Sequence, residues 1–420
     1  MMQEQNIQLT KIKQKLDRTR IEDIPAHIKQ EFNHSMLPEQ LGSGDRVALT
    51  AGSRGITDIK LILSELIKNL KDLGARPFLV PAMGSHGGAV PAGQEEILAS
   101  YGITESEMEV PIKSSMETVK LGEVGSGVPV YFSRPAREAD AIIAVNRVKK
   151  HTDFHSPTLE SGMSKILVIG LGKHRGARAI HSQGVYGLQE LIPEAAEMII
   201  DRTPVLQGIG LVENGYKEIS DLVFTPPEEI IKRDGELLEI AAGRMPTLPV
   251  DKIDILVVQE MGKDISGTGL DTNIIGRMYI NGAREYSRPK VKRLIVLDIS
   301  EASHGNAIGI GLADITTKKL VDKIDFNDTY KNIITSSFLR RGKIPLTMDS
   351  EKEAFELAED TCWLGEGEIP GVVIIKNTSQ LEELYVSAPL LKDIDEDMRE
   401  IVSHSQLNFT EDGCIRPRLN

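Results

Sequence analysis

Cysteine is nearly missing from this sequence: two residues in 420, Cys362 and Cys414, with no close spacing between them. A disulfide framework and a thiolate-bound zinc are thereby excluded as organising features. Aromatic residues make up 4%, too few for a stacking surface that would hold carbohydrate or single-stranded nucleic acid. The one tryptophan, Trp363, reads as a packing residue. No apolar run approaches the roughly 20 residues that cross a bilayer. The N-terminal MMQEQNIQLTKIKQKLDRTR has no apolar signal core. A net charge of −13 speaks against nonspecific binding to DNA or anionic lipid. The expectation is a cytoplasmic protein that engages neither nucleic acid nor membrane. A small anionic substrate stays open, because local cations decide that. Self-association is left open too.

What is present is the pattern of an α/β protein. Apolar runs that end in glycine-rich loops alternate with helical periodicity. RVALTA (46–51) reads as a strand and leads into GSRG. TDIKLILSELIKNLKDLG follows, with Thr57 as N-cap, an apolar stripe from Ile59 to Leu73, and Gly74 as the stop. RPFLVPA (76–82) is a second strand and ends in MGSHGG. ADAIIAVNRV (139–148) and KILVIGL (165–171) read as further buried strands, and VGSGVP (124–129) as a hairpin turn. LPVDKIDILVVQE (248–260) restarts the pattern, VKRLIVLDIS (291–300) continues it, and a helix is expected around residues 313–323. These features predict two α/β domains with mainly parallel sheets, residues 1–250 and 251–420, and an active-site crevice between them. In such sheets the strand ends line the binding crevice.

Chemistry concentrates in HTDFHSPTLESGMSKILVIGLGKHRGARAIH, residues 151–181, which holds four of the nine histidines beside Lys165, Lys173, Arg175 and Arg178. Gly170, Gly172 and Gly176 form GxGxxxG, one residue off the dinucleotide fingerprint, and no Ser or Thr follows Lys173 as a phosphate loop requires. A tight strand-to-helix turn explains the glycines, although its N–H groups could hold one phosphate. His151 and His155 are four apart and would share a face on a helix, without the glutamate of a zinc-protease motif. Outside the segment, His86 stands in the MGSHGG strand-end loop. Arg54 follows a strand between glycines, where a guanidinium can clamp a carboxylate or phosphate. Lys263 holds the corresponding place in the second domain.

Taken together these residues resemble the lactate racemase family, whose members use a nickel-pincer nucleotide. In that family a proton-carrying histidine precedes the cofactor-bearing lysine by ten residues, and a nickel-ligating histidine follows it by sixteen. His155, Lys165 and His181 reproduce both intervals. His86 and Arg54 match an upstream histidine and an arginine before it. Ala51 stands where close relatives of lactate racemase carry an aspartate, which suggests a divergent subgroup rather than lactate racemase itself.

The resemblance implies an isomerase: a racemase or epimerase that inverts a hydroxyl-bearing carbon of a 2-hydroxy acid or sugar acid by reversible hydride transfer. The cofactor would be nickel held by pyridinium-3,5-bisthiocarboxylic acid mononucleotide, supplied by separate maturation enzymes. Lys165 would carry it covalently and His181 would ligate the metal. Gly170, Gly172, Lys173 and Arg178 would serve its phosphate. His86 and His155 would be the two acid–base groups, since an imidazole with a pKa near about 6.5 works in both directions. Arg54 and Lys263 would fix the substrate carboxylate. His151 and Asp153 would meet additional hydroxyls. The alternatives are a zinc-dependent hydrolase built on His86, His151 and His155, and a noncatalytic nucleotide carrier.

Overall fold

The computed structural model describes residues 6–52, 55–156 and 158–420. Its contacts divide the chain into two units, Asp17–Met245 and Pro246–Asn420, the second including the N-terminal segment up to Leu16. That segment corrects the expected division at residue 250. Gln8–Gln14 is a strand paired antiparallel with Glu383–Ser387 on one side and Arg399–Gln406 on the other. Ile7 and Leu9 are buried in the core of the second unit, which is why the chain start leaves the sequence that directly follows it.

In the Asp17–Met245 unit, a five-stranded sheet is built from β1 (Arg46–Ala51), β2 (Arg76–Pro81), β3 (Ala141–Arg147), β4 (Val205–Glu213) and β5 (Ile219–Thr225), in the order β2-β1-β3-β4-β5. The first four are parallel and β5 is antiparallel. Both faces are covered, so the central strands are apolar on successive residues rather than alternately. Ala48, Ile142 and Ala144 enter one core, and Val47, Leu49, Ile143 and Val145 enter the other. The main helices are α1 (Ile59–Asp72), α2 (Pro91–Ser100), α3 (Lys173–His181), α4 (Ile192–Arg202) and α5 (Ile230–Arg244). Helix α1 buries the predicted stripe, and Gly74 ends it in the left-handed region at φ +83°. Thr57 is not its N-cap: Asp58 holds that position, and the Thr57 hydroxyl donates to the Lys217 carbonyl.

Because β2 and β3 flank β1 on opposite sides, chain direction across the sheet switches at β1. In doubly wound sheets the loops leaving the carboxyl ends at such a switch point are where ligands bind. The His86 loop follows β2, and the 148–162 loop follows β3.

KILVIGL is not a strand. Met163–Lys165 is a helical turn, Ile166–Gly170 is a wide π turn, and α3 follows two residues later. Ile166, Leu167, Val168 and Leu171 are all buried in one core cluster. A short run that is apolar on every side fits a buried helix as well as a strand, so periodicity could not decide. The 313–323 region also differs: Ile315–Thr317 is a strand and only Lys318–Val321 is helical, consistent with the β-branched residues at 315–317.

The second unit holds an eight-stranded sheet. Leu346–Met348, Ile315–Thr317, Lys290–Val296, Lys252–Val258 and Val372–Ile375 run parallel. Glu383–Ser387, Gln8–Gln14 and Arg399–Gln406 extend it antiparallel. The architecture is thus α/β with mostly parallel sheets, as expected. Trp363 departs from its expected packing role: it is 81% exposed, and the Arg293 guanidinium stands over its ring at 4.9 Å.

Candidate active site

The site is built around the helix that carries Lys165. Asn146, at the end of β3, donates from Nδ2 to the Gly162 carbonyl at 2.7 Å and ties the strand end to the helix start. Asp234 of α5, fully buried, then accepts the Met163 N–H at 2.9 Å and the Ser164 N–H at 2.7 Å, one on each carboxylate oxygen. It caps the first turn from 70 residues away. Gly162 permits the approach, since a Cβ there would lie 2.2 Å from the carboxylate. Burial raises the Asp234 pKa to about 6, against the opposing pull of the two backbone donors. Asp234→Ala orphans both donors and should cost roughly 2–4 kcal/mol of stability. Thermal or urea unfolding of the purified variant checks this.

The second element is the His86 loop. Gly87 sits at φ +64°, and a Cβ there would stand 2.5 Å from the Gly93 carbonyl carbon, so the tight return onto α2 requires glycine. The His86 Nδ1–H donates to the Met83 carbonyl at 2.8 Å, which leaves Nε2 as the basic nitrogen of the neutral ring. Gln94 of α2, buried, donates from Nε2 to the carbonyls of Gly84 (3.1 Å) and His86 (3.3 Å).

Lys173 completes this support. Its ammonium is fully buried and donates to the Pro81 carbonyl at 2.5 Å and to Gln94 Oε1 at 3.3 Å. Both contacts brace the His86 loop, so the expectation that Lys173 faces a phosphate is corrected: its charge is already directed inward. Burial lowers its pKa from 10.5 to about 8. Below about 8 the folded and unfolded chains both hold the proton. Between there and 10.5 the unfolded chain binds a proton that the folded one has released, so stability rises with pH. Unfolding of wild type and Lys173→Met from about pH 7.5 to about pH 10 should show wild type gaining on the variant.

The third element is the loop after β3. It is not helical, so His151 and His155 do not share a helix face. Glu160, 3% exposed, organises it instead. One carboxylate oxygen accepts the His151 N–H at 2.6 Å; the other meets His155 Nδ1 at 3.0 Å and the Ser156 N–H at 3.4 Å. His151 Nδ1 accepts from the Asp153 N–H at 3.1 Å, and its ring lies against Phe154 with centroids 4.8 Å apart. The Lys165 ammonium stands over the same Phe154 ring at 5.3 Å.

His181 ends α3, solvent-exposed as a residue but enclosed by protein on its inner side. Its pKa is pushed down to about 4, first by burial, then by the positive charge of Lys165, with Asp153 opposing and His86 adding to the fall. The ring is neutral at pH 7, the form that ligates a metal. Lys165, Asp153 and His86 therefore each lie within electrostatic reach of His181. His155 joins them through the loop, adjacent to Phe154.

Other expectations fare differently. Gly170 and Gly172 lie in the helical stretch, not in a phosphate-facing turn. A Cβ on Gly170 would meet the Ala82 carbonyl oxygen at 2.7 Å, and one on Gly172 the Val168 carbonyl oxygen at 2.1 Å, so both glycines serve close packing. Arg178 is exposed on α3. Arg54 lies outside the described residues. Lys263, in the other unit, follows the Lys252–Val258 strand and donates from Nζ to Asn332 Oδ1. Among the described residues no group of three His, Cys, Asp or Glu side chains is arranged to hold a metal ion, so His86, His151 and His155 do not assemble the ligand set of the zinc alternative. No helix among them is long and apolar enough to cross a membrane.

Sequence reasoning missed Glu160, Asp234 and Gln94. Only Glu160 left a local signal, an acid five residues after His155.

The site thus combines the loops after β2 and β3 with the helical stretch that carries Lys165 and His181. Residues 2–190 match the model of the lactate racemase N-terminal domain. The fold is similar to that of the lactate racemase apoprotein from Thermoanaerobacterium thermosaccharolyticum, with a TM-score of 0.51 and 14% identity, over 90% of this chain and 99% of that one. No curated protein matches the chain.

Proposed function

We propose that the chain is a racemase or epimerase of a small hydroxy acid that works with a lysine-bound nickel-pincer nucleotide. The observation that carries this reading is that Lys165, Asp153 and His86 all act on His181 through their charge, together with Lys165 and His151 packing on the one Phe154 ring. The residues fit such a group: a lysine amine on a capped helix, and an imidazole held neutral. Lys165 would hold the nucleotide and His181 would ligate its nickel. When bound, the group supplies a reversible acceptor for the hydrogen on the substrate carbon.

The chain's own residues do the proton work. An alkoxide must form as the carbon gives up its hydride, so a base takes the hydroxyl proton and later returns it. Enantiomers present that hydroxyl on different sides, which calls for two bases, His86 and His155. The Met83 carbonyl orients the Nε2 of His86, and Glu160 faces the Nδ1 of His155. Lys263 and Arg54 are proposed to anchor the carboxylate. His151 and Asp153 are proposed to meet further hydroxyls, which favours a sugar acid over lactate.

The test is chiral chromatography of single enantiomers of hydroxy and sugar acids, incubated with protein coexpressed with cofactor-making enzymes. The reading expects at least one to be inverted. If none is, while a lactate racemase matured in the same cells is active, the reading fails.

A further inference from the structure

The two loop histidines four residues apart are held in opposite tautomers. His151 Nδ1 accepts the Asp153 N–H, so its neutral ring carries the proton on Nε2. His155 Nδ1 faces a carboxylate oxygen, which only accepts when ionised, so its neutral ring carries the proton on Nδ1. We infer that Glu160 is the positioning residue for His155: its carboxylate fixes the Nδ1–H tautomer and so makes Nε2 the basic nitrogen, while its second oxygen anchors the loop through the His151 amide. The consequence for catalysis rests on the reading of His155 as a proton carrier. The tautomer itself does not.

The geometry makes one near-isosteric change informative. In Glu160→Gln a single oxygen remains, and two donors compete for it. The His151 N–H contact is the shorter, 2.6 Å against 3.0 Å, and it belongs to the backbone, which cannot turn away. The amide oxygen therefore stays with His151 and the amide NH2 turns toward His155. A donor facing Nδ1 forces that nitrogen to accept, and the ring proton moves to Nε2. The Ser156 N–H at 3.4 Å is too long to reverse this choice. The variant keeps the imidazole in place and converts a base into a donor. Glu160→Asp, which keeps the acceptor, should keep the wild-type tautomer.

Nitrogen-15 NMR of histidine-labelled protein, needing neither cofactor nor substrate, reads this directly, with His155 assigned by its loss in His155→Asn. The expected result is Nδ1–H for His155 in wild type and Glu160→Asp, and Nε2–H in Glu160→Gln, with His151 Nε2–H in wild type. Unfolding curves alongside show whether each variant is folded. A wild-type His155 with its proton on Nε2, or a folded Glu160→Gln with an unchanged ring, overturns the inference. If Glu160→Gln does not fold, the wild-type and Glu160→Asp spectra decide. In loaded enzyme, Glu160→Gln should lower kcat at least about 100-fold, with KM changed less than about threefold. Should wild type invert no hydroxy acid, the function reading falls and the tautomer result stands.

Discussion

Lys165→Ala is expected to give a folded protein with no measurable racemisation. The lysine stands half-buried over Phe154, and the helix it belongs to is capped by Asp234 through Met163 and Ser164 rather than by Lys165. Alanine is the best helix former, so the unfolding midpoint should move little. Activity should vanish, because that amine is the group proposed to carry the nucleotide covalently. Lys165→Arg separates charge from nucleophilicity: the guanidinium keeps the positive charge near His181 but does not act as a nucleophile. It should be as inactive as the alanine variant. Initial rates on an inverted substrate, measured on all three proteins matured side by side, provide the check. Activity in Lys165→Arg would mean that charge alone suffices and that no covalent anchor is needed.

His86→Asn and His155→Asn are expected to lose activity to a similar degree, each by about 10²–10⁴-fold in kcat with KM little changed. Every complete inversion must use both bases, one to take the hydroxyl proton and the other to return it. Since no mutation can change the equilibrium constant between the two forms, the loss of kcat/KM in each variant must also be equal in both directions. Asparagine suits His86 because it can still donate toward the Met83 carbonyl, keeping the loop in place while removing the base. Progress curves started from each enantiomer would show this. A His155→Asn enzyme at full rate beside an inactive His86→Asn would point to a one-base reaction.

Much of the scaffold could be read before the fold was known, and the reasons are specific. Strand β1 and the buried stripe of α1 are local patterns, and a one-dimensional reading captures them. The 155/165/181 intervals are likewise local, because one loop and one helical stretch carry all three residues. What escaped was tertiary. Asp234 reaches Met163 from a helix 71 residues downstream, and Lys173 meets Gln94 from 79 residues away. Nothing in a linear pattern signals such contacts. The reading of residues 165–171 as a strand failed because that run is buried on all sides. The Lys173 expectation failed because a cation beside glycines looks alike whether it faces a ligand or the Pro81 carbonyl.

The central claim is that Lys165 carries a nucleotide. Its most direct test is the denatured intact mass of the protein coexpressed with cofactor-making enzymes, beside Lys165→Ala treated identically. The account predicts an added mass equal to the pincer nucleotide on wild type and none on the variant. An unmodified wild-type mass, obtained where the same cells modify a control lactate racemase, would contradict it.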